Sequence, residues 1–131
     1  MKIMKTLYDQ MVQQGALALP YETCGFVTGT DAHYIKKIWP LKNEWKSTNR
    51  YYVSKKVVAE TLQKIKTMDQ MVLGIYHSHP TTAPTPSFYD LKNHPDDDVK
   101  MIILSYKSAP PTVKCYTVQA YTYDEHPFFI E

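Results

Sequence analysis

The chain has 131 residues, of which 44% are apolar and 21% charged. This balance is typical of one globular domain over residues 1–131 and excludes a disordered chain. No stretch is long and apolar enough to span a membrane, and the charged residues near the N-terminus argue against a signal peptide. With Cys24 and Cys115 as the only cysteines, we expect a reduced, cytoplasmic protein without a disulfide.

The N-terminal half predicts a helix followed by a β-hairpin. Apolar residues recur at helical spacing over residues 2–14, and Gly15 is a natural helix end. Residues 21–29 are rich in β-branched and aromatic side chains and predict a strand, with 33–39 as the returning strand of the hairpin. Residues 51–53 predict a further short strand.

The C-terminal half predicts a helix and several buried strands. Ser54 is a suitable N-cap for a helix that runs to about residue 69. Residues 72–78 and 101–106 are almost continuously apolar, which predicts central strands buried on both faces. Residues 113–123 alternate well enough to form one long strand or two short ones. The order of elements predicts an α/β or α+β fold, with a curved mixed β-sheet flanked by helices.

Two histidines lie at the end of the predicted strand 72–78: His77 within it and His79 directly after it. Side chains two apart on a strand point to the same face, so both imidazoles project together from the end of the strand. A proline-rich loop leads to Ser87, the expected N-cap of a short helix, and to Asp90 in its first turn. Two imidazoles and a carboxylate form a three-ligand zinc set with one coordination position open. The His-x-His pair alone also fits a solvent-facing strand, and Ser-x-x-Asp alone fits a capping box, so only the combination indicates a metal site.

These residues resemble a known family signature. The run His77-Ser78-His79-Pro80, followed by Ser87-Phe88-Tyr89-Asp90, is similar to the signature of the JAMM (MPN-plus) zinc metalloproteases. The upstream run Glu22-Thr23-Cys24-Gly25 resembles the first motif of the same family. The resemblance covers roughly residues 3–120 and implies a single JAMM/MPN domain with a cytidine-deaminase-like fold, because several motifs match together.

The resemblance also implies a role for each motif residue. His77, His79 and Asp90 would bind one Zn²⁺ per chain. Glu22 would act as the general base that takes a proton from zinc-activated water, and Ser87 would stabilise the oxyanion on the attacked carbonyl. Such a site would hydrolyse an amide bond, because zinc polarises the carbonyl and lowers the pKa of water.

For the substrate, the resemblance implies a peptidase or isopeptidase that cleaves after the flexible C-terminal tail of a ubiquitin-like or sulfur-carrier protein. No membrane partner is implied, and a homodimer is left open. Five residues upstream of the second predicted helix are candidates for substrate binding: Trp39, Asn43, Trp45, Tyr51 and Tyr52.

Two alternatives remain, and one of them depends on charge. Residues 36–66 carry nine basic and two acidic side chains, a net charge of +7, whereas the whole chain carries +2. Such a segment attracts an anionic partner or is simply a solvated face. The first alternative is therefore a nucleic-acid-associated protein similar to the RadC-like proteins. The second is a catalytically inactive MPN scaffold that only binds other proteins.

Overall fold

The computed structural model describes residues 1–131 and contains three helices and nine strands. The helices are α1 (Lys5–Ala18), α2 (Lys55–Thr67) and α3 (Phe88–Asn93). The strands are β1 (Lys2–Ile3), β2 (Cys24–Gly29), β3 (Tyr34–Ile35), β4 (Lys37–Leu41), β5 (Met71–His79), β6 (Lys100–Ser105), β7 (Thr112–Gln119), β8 (Thr122–His126) and β9 (Phe129–Ile130). No helix is both long enough and apolar enough to cross a bilayer.

A six-stranded sheet in the order β4-β2-β5-β6-β7-β8 forms the centre of the fold. Only β5 and β6 run parallel within it, and the other neighbours are antiparallel. The mixed α+β fold with a sheet flanked by helices is therefore confirmed. As the apolar runs predicted, β5 and β6 are central and mostly buried.

Helix α1 packs on one face of the sheet, where Met11 joins a core that includes Val27, Tyr76 and Ile102. The predicted helix end at Gly15 is wrong, because α1 continues to Ala18. A glycine is needed at this position for packing, since a Cβ atom would collide with the ring of Tyr106.

The opposite face of the sheet carries α3 over a second core cluster. Leu91 of α3 packs there against Met101, Ile103, Tyr116 and Val118. Ser54 caps α2 by accepting a hydrogen bond from the Val57 amide, as predicted. The C-terminal pattern resolves into two antiparallel strands, β7 and β8.

Two strand predictions need correction. The segment that returns after β2 is divided: β3 joins β1 in a separate three-stranded sheet with β9, and only β4 pairs with β2. Residues 51–53 do not form a strand. The reason is that the backbone groups on either side of Tyr51 bind the side chain of Asn43 and not a neighbouring strand.

Both cysteines are buried and free, which agrees with the expected reduced state. Burial, together with the nearby Glu22 carboxylate, raises the pKa of Cys24 to about 12. Cys24 therefore packs as an apolar side chain and is not a nucleophile.

Candidate metal centre

The end of β5 and the start of α3 bring His77, His79 and Asp90 together, all of them buried. The Nε2 atoms of the two histidines are 3.2 Å apart. Each of them lies 3.1 Å from Asp90 Oδ2. The three ligand atoms thus form a nearly equilateral triangle. Two atoms bound at the usual distance to a tetrahedral zinc ion are about 3.3 Å apart, so the triangle has the size that zinc requires.

The hydrogen bond of His79 shows which ring nitrogen is free. His79 Nδ1 lies 2.8 Å from the Ala83 carbonyl oxygen, and a carbonyl can only accept, so Nδ1 carries the hydrogen. In the neutral ring Nε2 then presents a bare lone pair to the Asp90 carboxylate. That contact is repulsive unless a second proton or a cation lies between the two atoms. The donor set therefore fits a bound cation.

Asp90 also serves as a helix cap. Ser87 Oγ accepts from the Asp90 amide and Asp90 Oδ2 accepts from the Ser87 amide, both at 3.0 Å, which completes a capping box. Burial opposes ionisation, but positive charge at His77 and His79 and the hydrogen bond from the Ser87 amide outweigh it and hold the pKa of Asp90 well below its usual range. Asp90 is therefore an anion whose position is set by the start of α3.

Glu22 lies just before β2 and is only 3% exposed. Its Oε1 atom is buried without a hydrogen-bond partner. Burial raises the pKa of Glu22 to about 8, with a lowering contribution from His79 and a raising one from Asp90. A buried, unpartnered carboxylate close to the three ligand residues is a group that can accept a proton there.

Ser87 retains a donor that the capping box does not use. Its oxygen accepts the hydrogen bond from the Asp90 amide, so the hydroxyl hydrogen is free to point elsewhere. The structure thus places one free hydroxyl donor at the start of α3, beside Asp90.

The segment 43–53, here called the strap, crosses the site beside Glu22 and His77. Asn43 holds it with four hydrogen bonds: its amide donates to the carbonyls of Glu22 and Arg50, and its oxygen accepts from the amides of Trp45 and Tyr52. The guanidinium of Arg50 lies 4.4 Å from the ring centre of Tyr89 on α3. These contacts tie the strap to both sides of the candidate centre.

The predicted substrate-binding residues separate into different roles. Tyr51 stacks on the buried His77, whereas Tyr52 stacks on Trp45. Only the second pair consists of two exposed side chains. The side chain of Asn43 is used in hydrogen bonds that hold the backbone of the strap. The Trp39 indole donates to Thr28 Oγ1, near the end of β2 that is distant from Glu22, and does not line the groove described next.

A mostly apolar groove of about 580 Å³ has one of the three candidate ligand residues, Asp90, in its lining. Cys24 pairs directly with His77, so their side chains lie on the same face of the sheet. The floor of the groove is formed on that face, and its walls come from α2, α3 and the strap. The lining includes Cys24, Phe26, Ile75, Tyr51, Val58, Leu62, Tyr89 and Asp90.

Pattern reasoning missed the contribution of Ser78 and Thr23. Ser78 lies between the two histidines, and its hydroxyl accepts hydrogen bonds from both the amide and the hydroxyl of Thr23. The available signal was the two-residue period of a strand, which directs the side chain of residue 78 to the sheet face opposite the imidazoles.

Comparison with known proteins agrees with this geometry. The model of the family described as prokaryotic homologs of the JAB domain matches residues 4–119. No curated protein matches the sequence significantly. A solution structure of a Desulfitobacterium hafniense protein is 24% identical and superposes with a TM-score of 0.88, covering 100% of this chain and 93% of the other.

Two further solved structures share the fold. A JAB1/MPN domain protein from Archaeoglobus fulgidus is 21% identical, with a TM-score of 0.68 and coverage of 99% of this chain and 98% of that one. A structure described as JAMM, a metalloprotease-like zinc site in the proteasome and signalosome, is 19% identical, with a TM-score of 0.64 and coverage of 100% and 97%. The fold is thus that of JAB/MPN proteins, with a His-His-Asp group placed to bind a metal. The chain belongs to the prokaryotic homologs of the JAB domain.

Proposed function

We propose that this protein is a zinc-dependent peptidase or isopeptidase that cleaves the amide bond after the C-terminal tail of a ubiquitin-like or sulfur-carrier protein. One observation carries the proposal: the buried Glu22 carboxylate, with Oε1 unpartnered, lies close to a ligand triangle of zinc dimensions. A site that only stores metal or stabilises the fold has no need of such a carboxylate, whose burial is costly.

His77, His79 and Asp90 would hold the zinc ion. When bound, zinc lowers the pKa of water and polarises the scissile carbonyl. Glu22 would accept a proton from the attacking water and pass it to the leaving amine, a type of assistance that contributes roughly 10²–10⁴ in rate. The free hydroxyl of Ser87 would donate a hydrogen bond to the oxyanion as it forms.

The groove would hold the tail of the substrate. It is mostly apolar and has Asp90 in its lining, so an extended chain lying in it would pass close to one of the candidate ligand residues. Strand β4 is an edge of the main sheet and offers unpaired backbone groups to a second extended segment. A slender tail suits these two features better than a folded surface does.

The positive charge in and beside the strap supports a substrate whose folded domain is acidic. Lys42, just before the strap, and Lys46, within it, are exposed, and Lys55 and Lys56 begin α2. Cations grouped in this way attract an anionic protein over several ångströms and raise its rate of association. We retain a cytoplasmic location as part of the proposal.

Metal analysis combined with a cleavage assay tests the proposal. Purified protein is expected to contain one zinc per chain and to cleave fusions that place a reporter after a ubiquitin-like tail. Glu22→Gln is expected to keep zinc and lose cleavage. Protein that binds zinc but cleaves no fusion would favour the scaffold alternative. Absence of zinc, with salt-dependent DNA binding, would favour a role like that of the RadC-like proteins.

A further inference from the structure

The residue between the two metal-site histidines faces away from them. Ser78 is 1% exposed, and the alternation of side chains along β5 directs its hydroxyl to the sheet face opposite the imidazoles. There Ser78 Oγ accepts from the Thr23 amide at 2.8 Å and from Thr23 Oγ1 at 3.1 Å. Ser78 therefore faces away from the metal site, and both acceptor positions of its buried hydroxyl are used between β5 and the segment before β2.

This contact occurs where regular pairing between the strands stops. The register of β2 with β5 ends at Cys24 opposite His77, so Glu22 lies two residues beyond the last regular pair. The Ser78 amide donates to the Thr23 carbonyl at 3.0 Å. Both backbone groups of Thr23 are thus held by Ser78, one through its backbone and one through its side chain.

Glu22 itself is held only by the strap. Its amide donates to the Ser47 carbonyl and its carbonyl accepts from Asn43, and both partners lie on a segment without regular structure. Beyond the last regular pair, Cys24 with His77, Ser78 supplies the hydrogen bonds that connect Thr23, the residue after Glu22, to the strand that carries the imidazoles.

We propose that Ser78 is a positioning residue for Glu22: its hydroxyl fixes Thr23, and through Thr23 the distance between the Glu22 carboxylate and the His77–His79 pair. The inference rests on the proposed function, in which Glu22 moves a proton beside the ligand residues. Proton transfer requires contact within hydrogen-bond distance, and a displacement of about 1 Å in a catalytic group costs roughly 100-fold in rate.

A purely structural role predicts something different. Removing the Ser78 hydroxyl leaves the buried Thr23 amide without a partner, and an unpartnered buried amide destabilises the fold wherever it occurs. Thr28 provides a matched control, because its hydroxyl is also buried and hydrogen-bonded, but to Gln70 and Trp39 near the far end of β2. Thr28→Val should therefore match the stability loss of Ser78→Ala without moving Glu22.

Three measurements on the full chain test the proposal. In Ser78→Ala, hydrogen exchange of the Thr23 amide should accelerate at least about tenfold, because its protecting bond is lost. Zinc affinity, measured by competition with a chromophoric chelator, should change by less than about threefold, below the roughly 10–100-fold loss seen when ligand support is removed. For cleavage of a ubiquitin-like fusion, kcat should fall roughly 10–100-fold while KM stays constant.

The outcomes separate this inference from the proposed function. Equal kcat losses in Ser78→Ala and Thr28→Val, or a parallel loss of zinc affinity in Ser78→Ala, would overturn the positioning role. If the wild type cleaves no fusion, the proposed function fails. The exchange measurement then still decides whether the Ser78 hydroxyl fixes Thr23, because an unchanged exchange rate of the Thr23 amide in Ser78→Ala overturns the positioning role. Should Ser78→Ala not fold, Thr23→Val removes one of the two bonds to Ser78 Oγ, and a smaller drop in kcat in the same direction is expected.

Discussion

The ring of Tyr51 stacks on the imidazole of His77, with the ring centres 5.3 Å apart and the planes inclined by 30°. His77 Nδ1 is buried without a hydrogen-bond partner, whereas His79 Nδ1 is fixed by the Ala83 carbonyl. The two imidazoles are thus oriented by different means. Packing against the strap takes the place that a hydrogen bond usually has behind a metal-binding histidine.

Removing the Tyr51 ring should therefore weaken metal binding. Tyr51→Ala is expected to lower zinc affinity roughly 10–100-fold, because His77 loses the surface that orients it. Tyr51→Phe keeps the ring and should bind zinc like the wild type. Chelator competition measures both variants, and Tyr52→Ala is the control, since Tyr52 stacks on Trp45 and is exposed. Equal affinity in Tyr51→Ala and the wild type would contradict the orienting role.

The stability of the metal-free protein should depend on pH through Glu22. Burial raises its pKa from 4.5 to about 8, so the folded state binds more protons than the unfolded state between these values. The free energy of unfolding contributed by Glu22 is then greatest below pH 4.5 and is lost as the pH rises toward 8. Glu22→Gln cannot ionise and escapes this loss.

Urea unfolding in the presence of a chelator tests this dependence. At pH 8, Glu22→Gln should be more stable than the wild type by up to a few kcal/mol, since each pKa unit is worth about 1.4 kcal/mol. The difference should shrink toward pH 5. A difference that stays constant from pH 5 to pH 8 would show that Glu22 ionises normally in the folded protein.

Ser87 should contribute to both stability and rate. Ser87→Ala removes the helix cap and is expected to lower the free energy of unfolding by about 1 kcal/mol. Loss of the hydroxyl donor should also lower kcat by roughly 10²–10³ if Ser87 supports the oxyanion. Ser87→Thr keeps the cap and the donor and is the matched control. A stability loss with unchanged kcat would restrict Ser87 to capping α3.

The basic residues near the strap should affect association. Reversing Lys42 and Lys46 to Glu is expected to lower kcat/KM for an acidic ubiquitin-like substrate at least about tenfold at low salt, with a smaller effect at high salt because ions screen the charges. Arg50 is left intact because it packs on Tyr89. The double reversal of Lys36 and Lys37 makes the same charge change at the opposite end of β4. Equal effects of both pairs would indicate net charge and not a docking surface.

Local chemistry made part of this structure predictable. The strand that ends in His77 and His79, its burial, and the capped helices after Ser54 and Ser87 all follow from patterns within a few residues. The ligand residues come together for the same reason, because a strand period and a helix cap fix their directions over a short stretch of chain.

The rest depends on distant partners. The local sequence predicts a helix end at Gly15, but this glycine is needed because Tyr106, distant in the sequence, packs against it. Residues 51–53 have strand composition but are held by Asn43. The pairing of β1 with β3 and β9 involves two residues per strand, which is too short for any periodic signal. In each case a tertiary contact overrides the local preference.

The spacing of the site residues along the chain has a consequence for how the protein folds. Asp90 lies eleven residues from His79 in the sequence. Thr23, the residue next to Glu22, lies 55 residues from its partner Ser78. Closing the shorter loop costs less entropy, so the residues of the candidate metal centre can assemble early, whereas Glu22, the proposed base, must arrive by a slower, long-range contact. We therefore expect a partly folded chain to be able to bind metal at this centre while β2 is still detached, so that bound metal alone would not show that Glu22 is in place.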